Sequence, residues 1–235
     1  VGGYPDRENP VARLHRNADN RYTYWRAFGD AYVNLHLFKG FNLRSTFGID
    51  YAQKQQRIFT YPITEGNVAS STNASEAKQE HWTKWMWNAV ATYNFAKDQH
   101  RFDAMAGVEL NREDDINFSG YKEGYIILNP DYMWPSAGMG NAQAYGGGEG
   151  YSLVSFFGKA NYTYADKYLA SATVRYDGSS RFGKNNRYAM FPSFSLGWRI
   201  SQEKFLKAKW IDDLKLRASW GQTGNQEISN IARYT

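Results

Sequence analysis

Tyr168-Leu169-Ala170-Ser171-Ala172-Thr173-Val174-Arg175-Tyr176-Asp177-Gly178 alternates residue by residue. Tyr168, Ala170, Ala172, Val174 and Tyr176 make an apolar set, and Ser171, Thr173, Arg175 and Asp177 make a polar one. Successive side chains of a β-strand point to opposite faces, so the stretch reads as a strand with one apolar and one polar face. A helix would scatter both sets around its axis.

The same alternation extends outward in both directions. Upstream, Trp25, Ala27, Gly29, Ala31, Val33, Leu35 and Leu37 oppose Arg26, Asp30, Tyr32, Asn34 and His36. After a tight turn at 38–40, Phe41, Leu43, Ser45, Phe47, Ile49 and Tyr51 oppose Arg44, Thr46 and Asp50. Trp85 to Phe95 oppose Lys84, Asn88 and Thr92, and Phe102 to Leu110 oppose Asp103, Gly107 and Glu109. Val154 to Tyr164 oppose Ser155, Lys159 and Asn161. Downstream, Phe194 to Ile200 oppose Ser193, Ser195, Gly197 and Arg199, and Leu214 to Trp220 oppose Lys215, Arg217 and Ser219. That gives about eight strands.

None of the apolar-set residues is charged, although 22% of the chain is. A charge facing lipid near the bilayer midplane costs about 2–4 kcal/mol, which purges such faces. A soluble sandwich also has apolar inner faces, but its strands are commonly ~5–6 residues long. Here the runs are longer, Ala and Gly sit mid-strand, and Trp, Tyr and Phe gather toward the ends. That is the aromatic-girdle pattern of a membrane barrel. The predicted fold is all-β: antiparallel transmembrane β-barrel strands, about eight of them, cut from a larger barrel.

Composition agrees. The 235 residues hold 8 Trp, 18 Tyr and 14 Phe, too aromatic for disorder. No apolar run approaches the ~18 residues of a membrane helix. There is no Cys, which excludes disulfides and thiolate metal sites. The net charge of +5 comes without any Lys/Arg block, so nucleic acid is not an expected partner. The first residues lack the basic start and apolar core of a signal peptide.

Connections alternate in length. Short ones are expected at 38–40, 96–100 and 165–167, a moderate one at 202–213, and long ones at 60–79, 114–150 and 178–187. Short periplasmic turns and long outer loops are the barrel rule. It makes residues 1–20 an external loop and sends Trp220 outward. A further strand is then expected beyond Thr235.

Motifs for chemistry are sparse. Gly146-Gly147-Gly148-Glu149-Gly150 lacks the Lys of a phosphate loop and reads as a flexible loop. His15, His36, His81 and His100 have no ligand spacing. Glu113-Asp114-Asp115 reads as a solvated rim, and Asp212-Asp213 as a turn or cap. Nothing nominates a nucleophile or an acid pair, so neither an enzyme nor a bound cofactor or metal is expected. The loop containing Tyr132, Trp134 and Tyr145 offers aromatic faces that suit sugar rings or peptide side chains, and equally suit packing of the loop itself.

Three blocks carry a family likeness. They are Tyr168 to Gly183, Phe191-Pro192-Ser193-Phe194-Ser195-Leu196-Gly197-Trp198-Arg199-Ile200, and Leu214-Lys215-Leu216-Arg217-Ala218-Ser219-Trp220-Gly221-Gln222-Thr223-Gly224-Asn225-Gln226. In that order they resemble the SusC/RagA-type TonB-linked outer-membrane transporters of Bacteroidetes. The resemblance implies a partial barrel domain over 1–235, whose N-terminal plug lies outside this sequence. It implies an outer-membrane location, a SusD-like lid lipoprotein, coupling to the TonB complex through parts not in this sequence, and glycan or peptide ligands. On that reading Arg26, Asp30, Arg44, Asp50, Lys84, Asp103, Glu109, Lys159, Arg175, Arg199 and Arg217 line the lumen. Tyr132, Trp134 and Tyr145 meet ligand or lid, and the apolar set meets membrane lipid. The rival reading is a small closed eight-stranded barrel serving as anchor or adhesin.

Overall fold

The computed structural model describes residues 9–65, 68–206 and 210–226. The long strands are β1 (Arg21–Phe38), β2 (Phe41–Thr60), β5 (Ala74–Lys97), β6 (His100–Glu123) and β7 (Ala142–Tyr164). Shorter ones are β8 (Tyr168–Ser179), β9 (Tyr188–Arg199) and β10 (Lys215–Gly221). Two three-residue strands, β3 (Ile63–Glu65) and β4 (Val68–Ser70), form a separate ribbon. A seven-residue helix, α1 (Pro10–Arg16), precedes β1. It starts at Asn9, whose side chain accepts from the Val11 N–H at 2.9 Å, with Pro10 in the first turn, where a missing N–H costs nothing.

The eight main strands form one antiparallel meander in the order β1-β2-β5-β6-β7-β8-β9-β10. Among the described residues β1 and β10 are its two ends and do not pair with each other, so these eight strands do not close on themselves. The small closed barrel is therefore not what this chain forms.

Register tests the sequence parity directly. Between β7 and β8, Phe156 pairs with Tyr176, Gly158 with Val174, Ala160 with Ala172 and Tyr162 with Ala170. Between β8 and β9, Ala172 pairs with Phe194, Ala170 with Leu196 and Tyr168 with Trp198. Leu196 then pairs with Ala218, and Phe194 with Trp220. Directly opposed residues share a face, so the apolar sets of four strands fuse into one uncharged surface. Rings cluster on it: Tyr176 stacks on Tyr188 at 5.3 Å and Tyr164 on Tyr168 at 6.3 Å, while Ala160, Ala170 and Ala172 lie between.

The tight turns have local causes. Ala165 and Asp166 both adopt positive φ (51° and 56°), and the Lys167 N–H closes the turn on the Tyr164 carbonyl at 3.0 Å. This is the mirror-image turn whose twist suits a hairpin. Gly40, at φ 82°, turns β1 into β2; a Cβ there would lie 2.3 Å from the Asn94 carbonyl oxygen.

The strands outrun the sequence expectation on one side. β5 and β6 have 24 residues each and β7 has 23, against the ~9–11 a tilted strand needs to cross a bilayer. The loop expected at 114–150 shrinks to 124–141, since 114–123 belong to β6 and 142–150 to β7. Likewise β5 begins at Ala74, inside the loop expected at 60–79. The glycine run at 146–150 is strand rather than loop, so Tyr145 stands on a strand too. The missed residues belong to strands whose outward set turns polar, as at Arg112 and Asp114, which erases the alternation. The expectation of a further strand beyond Thr235 lies outside the described residues.

By internal contacts the chain divides into two units. One contains Val1–Phe28, Asp50–Thr83 and Asp114–Gly150. Its core is Phe59, Tyr125 and Met133, with Tyr61 against them. The other contains Gly29–Ile49, Lys84–Glu113 and Tyr151–Thr235, and it carries the fused apolar face.

Candidate functional site

The polar face of the second unit is built by the opposite parity. Lys159 faces Thr173, Arg175 faces Phe157 and Phe191, and Arg199 faces Lys215. Lys159, Arg175, Asp177, Arg199, Lys215 and Arg217 therefore share one face with Ser155, Ser171, Thr173, Ser193 and Ser195. The small residues keep the surface open, and the charged ones stand up from it.

Arg175 is the organiser. Its Nε donates to both Asp177 carboxylate oxygens at 2.8 and 2.9 Å, and its Nη2 donates to the fully buried Ser155 Oγ at 2.8 Å. Glu109 lies 3.6 Å away, and the guanidinium sits over Phe157 at 5.7 Å. A second chain runs from Lys84 to Glu113 (3.5 Å), which accepts from the Tyr151 hydroxyl at 3.3 Å; the Arg181 guanidinium lies over the Tyr151 ring at 4.1 Å. These groups neutralise one another and are fixed in place.

Arg199 and Lys215 differ. They oppose each other across β9 and β10, with Arg217 two residues on. Among the described residues none of the three has a carboxylate partner, and the Arg199 Nε is buried without a hydrogen bond. Like charges face to face are unfavourable, so this corner is the most electropositive part of the polar face described.

In the first unit Arg26 forms a two-point contact with Asp50, its Nε donating at 2.7 Å. Elsewhere Arg44 lies over the Tyr32 ring at 4.0 Å, and Asp30 sits beside Gly48. Asp103 is half-buried. The structure thus brings Lys159, Arg175, Arg199 and Arg217 onto one face, joins Glu109 to Arg175, and pairs Arg26 with Asp50.

The loop 124–141 is a folded cap. Asn73 clamps its start, accepting from the Tyr125 N–H at 2.6 Å and donating to the Tyr125 carbonyl at 3.2 Å. Asn129 turns the chain, its side chain accepting from the Asp131 N–H at 2.9 Å. Met133 is fully buried, and the Tyr125 hydroxyl donates to the Trp134 carbonyl at 3.1 Å. Arg57 pins the far side, its guanidinium 3.9 Å above the Trp134 ring and donating to the Pro130 carbonyl at 2.8 Å. Trp134 is thus half committed to packing, whereas Tyr132 is 61% exposed and Tyr145 60%. Sequence reading missed Arg57 and Asn73; neither carries any local pattern.

Electrostatics mark three positions. Burial, then the 2.8 Å hydrogen bond to Asp19, pushes the Tyr61 hydroxyl up to about 12. The hydrogen bond to Glu123 pushes Tyr121 up to about 12 as well. In the connection after β9, Lys167, Tyr168 and Trp198 all donate to Glu203, at 2.8, 2.6 and 3.1 Å. They hold its carboxyl down at about 2. Among the described residues no cluster of His, Asp and Glu is arranged to hold a metal ion.

The sequence matches the family described as TonB dependent receptor-like, beta-barrel, over residues 2–233. It is 32% identical to the TonB-dependent receptor SusC of Bacteroides thetaiotaomicron over 229 residues, 97% of this chain and 22% of that protein. It is also 32% identical to the TonB-dependent receptor P3 of Formosa agariphila over 228 residues, 95% of this chain and 22% of that one. The fold superposes on the RagAB peptide importer in its open-open state with a TM-score of 0.81 and 25% identity, covering 91% of this chain and 24% of that one. The RagAB peptide transporter structure gives 0.80, at 24% identity and the same coverage.

Proposed function

The chain belongs to the TonB-dependent receptor-like β-barrel family, a family of outer-membrane transporters rather than enzymes, and from that premise we propose that it forms part of the wall of an active nutrient importer of the SusC/RagA kind. It spans 22% of the length of the relatives it matches. The observation that carries the reading is the two-faced sheet, uncharged on one side and lined by fixed charges and small hydroxyls on the other. The uncharged face meets lipid, and the hydrogen-bonded ladder leaves few backbone groups unsatisfied there. The charged face meets the lumen, where the corner formed by Arg199, Lys215 and Arg217 receives an acidic group of the plug or the cargo.

The whole transporter takes up glycan oligosaccharides or peptides, driven through TonB, beneath a SusD-like lid lipoprotein. The likeness to SusC, and to the fold of the RagAB peptide transporter, supports this. The test is growth and uptake by the host on defined oligosaccharides and defined peptides, with the full gene intact or deleted and with a protonophore. Loss of uptake of one class on deletion, reproduced by the protonophore, is the expected result. Unchanged uptake of every class contradicts the proposal.

A further inference from the structure

β7 runs from Ala142, yet its ladder with β8 begins only at Leu153, opposite Ser179, where β8 ends. One position further, the Ser152 carbonyl accepts from the Ser180 N–H at 2.9 Å and the Ser152 N–H donates to Ser180 Oγ at 2.8 Å. Beyond that, residues 142–150 are exposed throughout.

In an antiparallel strand alternate residues aim both backbone groups at the same neighbour. Ser152 aims at the β8 side, so Gly150, Gly148, Gly146 and Ala144 do too. Among the described residues no strand receives them. Every residue that presents these groups is Gly or Ala, so another backbone meets no side chain on the way in. On the other face a Cβ at Gly147 would meet nothing within 4 Å, and Tyr145 stands exposed beside it. Natural edges of this length carry Pro, Lys or a cover; residues 142–150 contain neither Pro nor Lys.

We propose that the β7 edge at 142–150 is a strand-addition site for a free, extended oligopeptide. The unpaired groups alternate N–H and C=O at strand spacing, which a peptide backbone matches and a sugar chain does not. Nine residues at about 3.4 Å each give a docking line of ~30 Å. Tyr145 supplies a ring for one peptide side chain, which gives the exposed tyrosine a use. The peptide's role as cargo rests on the import reading; its binding does not.

The test uses the full-length transporter in nanodiscs, with backbone amide exchange over 142–151 read by mass spectrometry. The probe is a capped decapeptide of alternating Thr and Val; its control is N-methylated at every residue, since methylation of alternate residues would leave one edge able to pair. The unmethylated peptide is expected to slow exchange at least tenfold and the methylated one to leave it unchanged. Gly148→Pro removes a donor that faces the open edge, where Pro is tolerated, and is expected to reduce the protection severalfold. No slowing, equal slowing by both peptides, or an edge already protected without peptide overturns the proposal. Uptake of the decapeptide is scored separately in cells: binding without uptake sustains this site and counts against peptide import.

Discussion

Glu203 takes three donors from two strand ends, and its consequences are those of a single carboxylate. Its folded-state pKa, about 2, lies below the ordinary value of 4.5, so its stabilisation is complete above about pH 4.5 and fades as the pH falls toward 2. Amide protection in the connection after β9, taken relative to the intrinsic exchange rate at each pH, should therefore fall through that window. In Glu203→Gln that protection should be low already at pH 7 and unchanged through the window. Arg57 is the other single residue with long reach. Its bond to a carbonyl and its seat on Trp134 are together worth about 2 kcal/mol. Arg57→Ala should raise the open population of loop 124–141 roughly 30-fold, read by limited proteolysis, leaving heat-modifiable migration of the full transporter unchanged.

At the scale of strands, parity makes the sharpest forecast. Ala172 lies on the fused apolar face and Thr173 on the polar one. Ala172→Arg should cost about 2–4 kcal/mol of barrel stability, read by urea titration in lipid vesicles, and Thr173→Arg much less. Gly107 breaks the simple rule. It belongs to the polar set, yet a Cβ there would lie 2.6 Å from the Phe157 ring and 2.9 Å from the Ala89 carbonyl oxygen. Even Gly107→Ala should destabilise measurably. The parity of Tyr168 to Asp177 was legible because every second residue changes character. The outer halves of β6 and β7 were not, because Arg112 and Asp114 break the apolar set and Gly146 to Gly150 have no side chains to alternate. The pairing of Arg175 with Asp177 was legible from spacing; Asn73 and Arg57 were not, because their partners lie more than fifty positions away.

At the scale of the molecule, a meander whose end strands do not meet needs further strands to span a membrane. The 235-residue chain alone should fail to form a heat-modifiable monomeric barrel in detergent or lipid. The central claim is that one face of this sheet meets lipid and the other an aqueous lumen. The chain has no cysteine, so, with any cysteine elsewhere in the full-length transporter replaced, single cysteines can be placed at 170 to 175 in its native membrane. Each is then exposed in turn to a membrane-impermeant thiol reagent and to a lipid-soluble one. The account predicts strict alternation: 170, 172 and 174 react only with the lipid-soluble reagent, and 171, 173 and 175 react with the aqueous one. Uniform labelling, or the opposite phase, would contradict it.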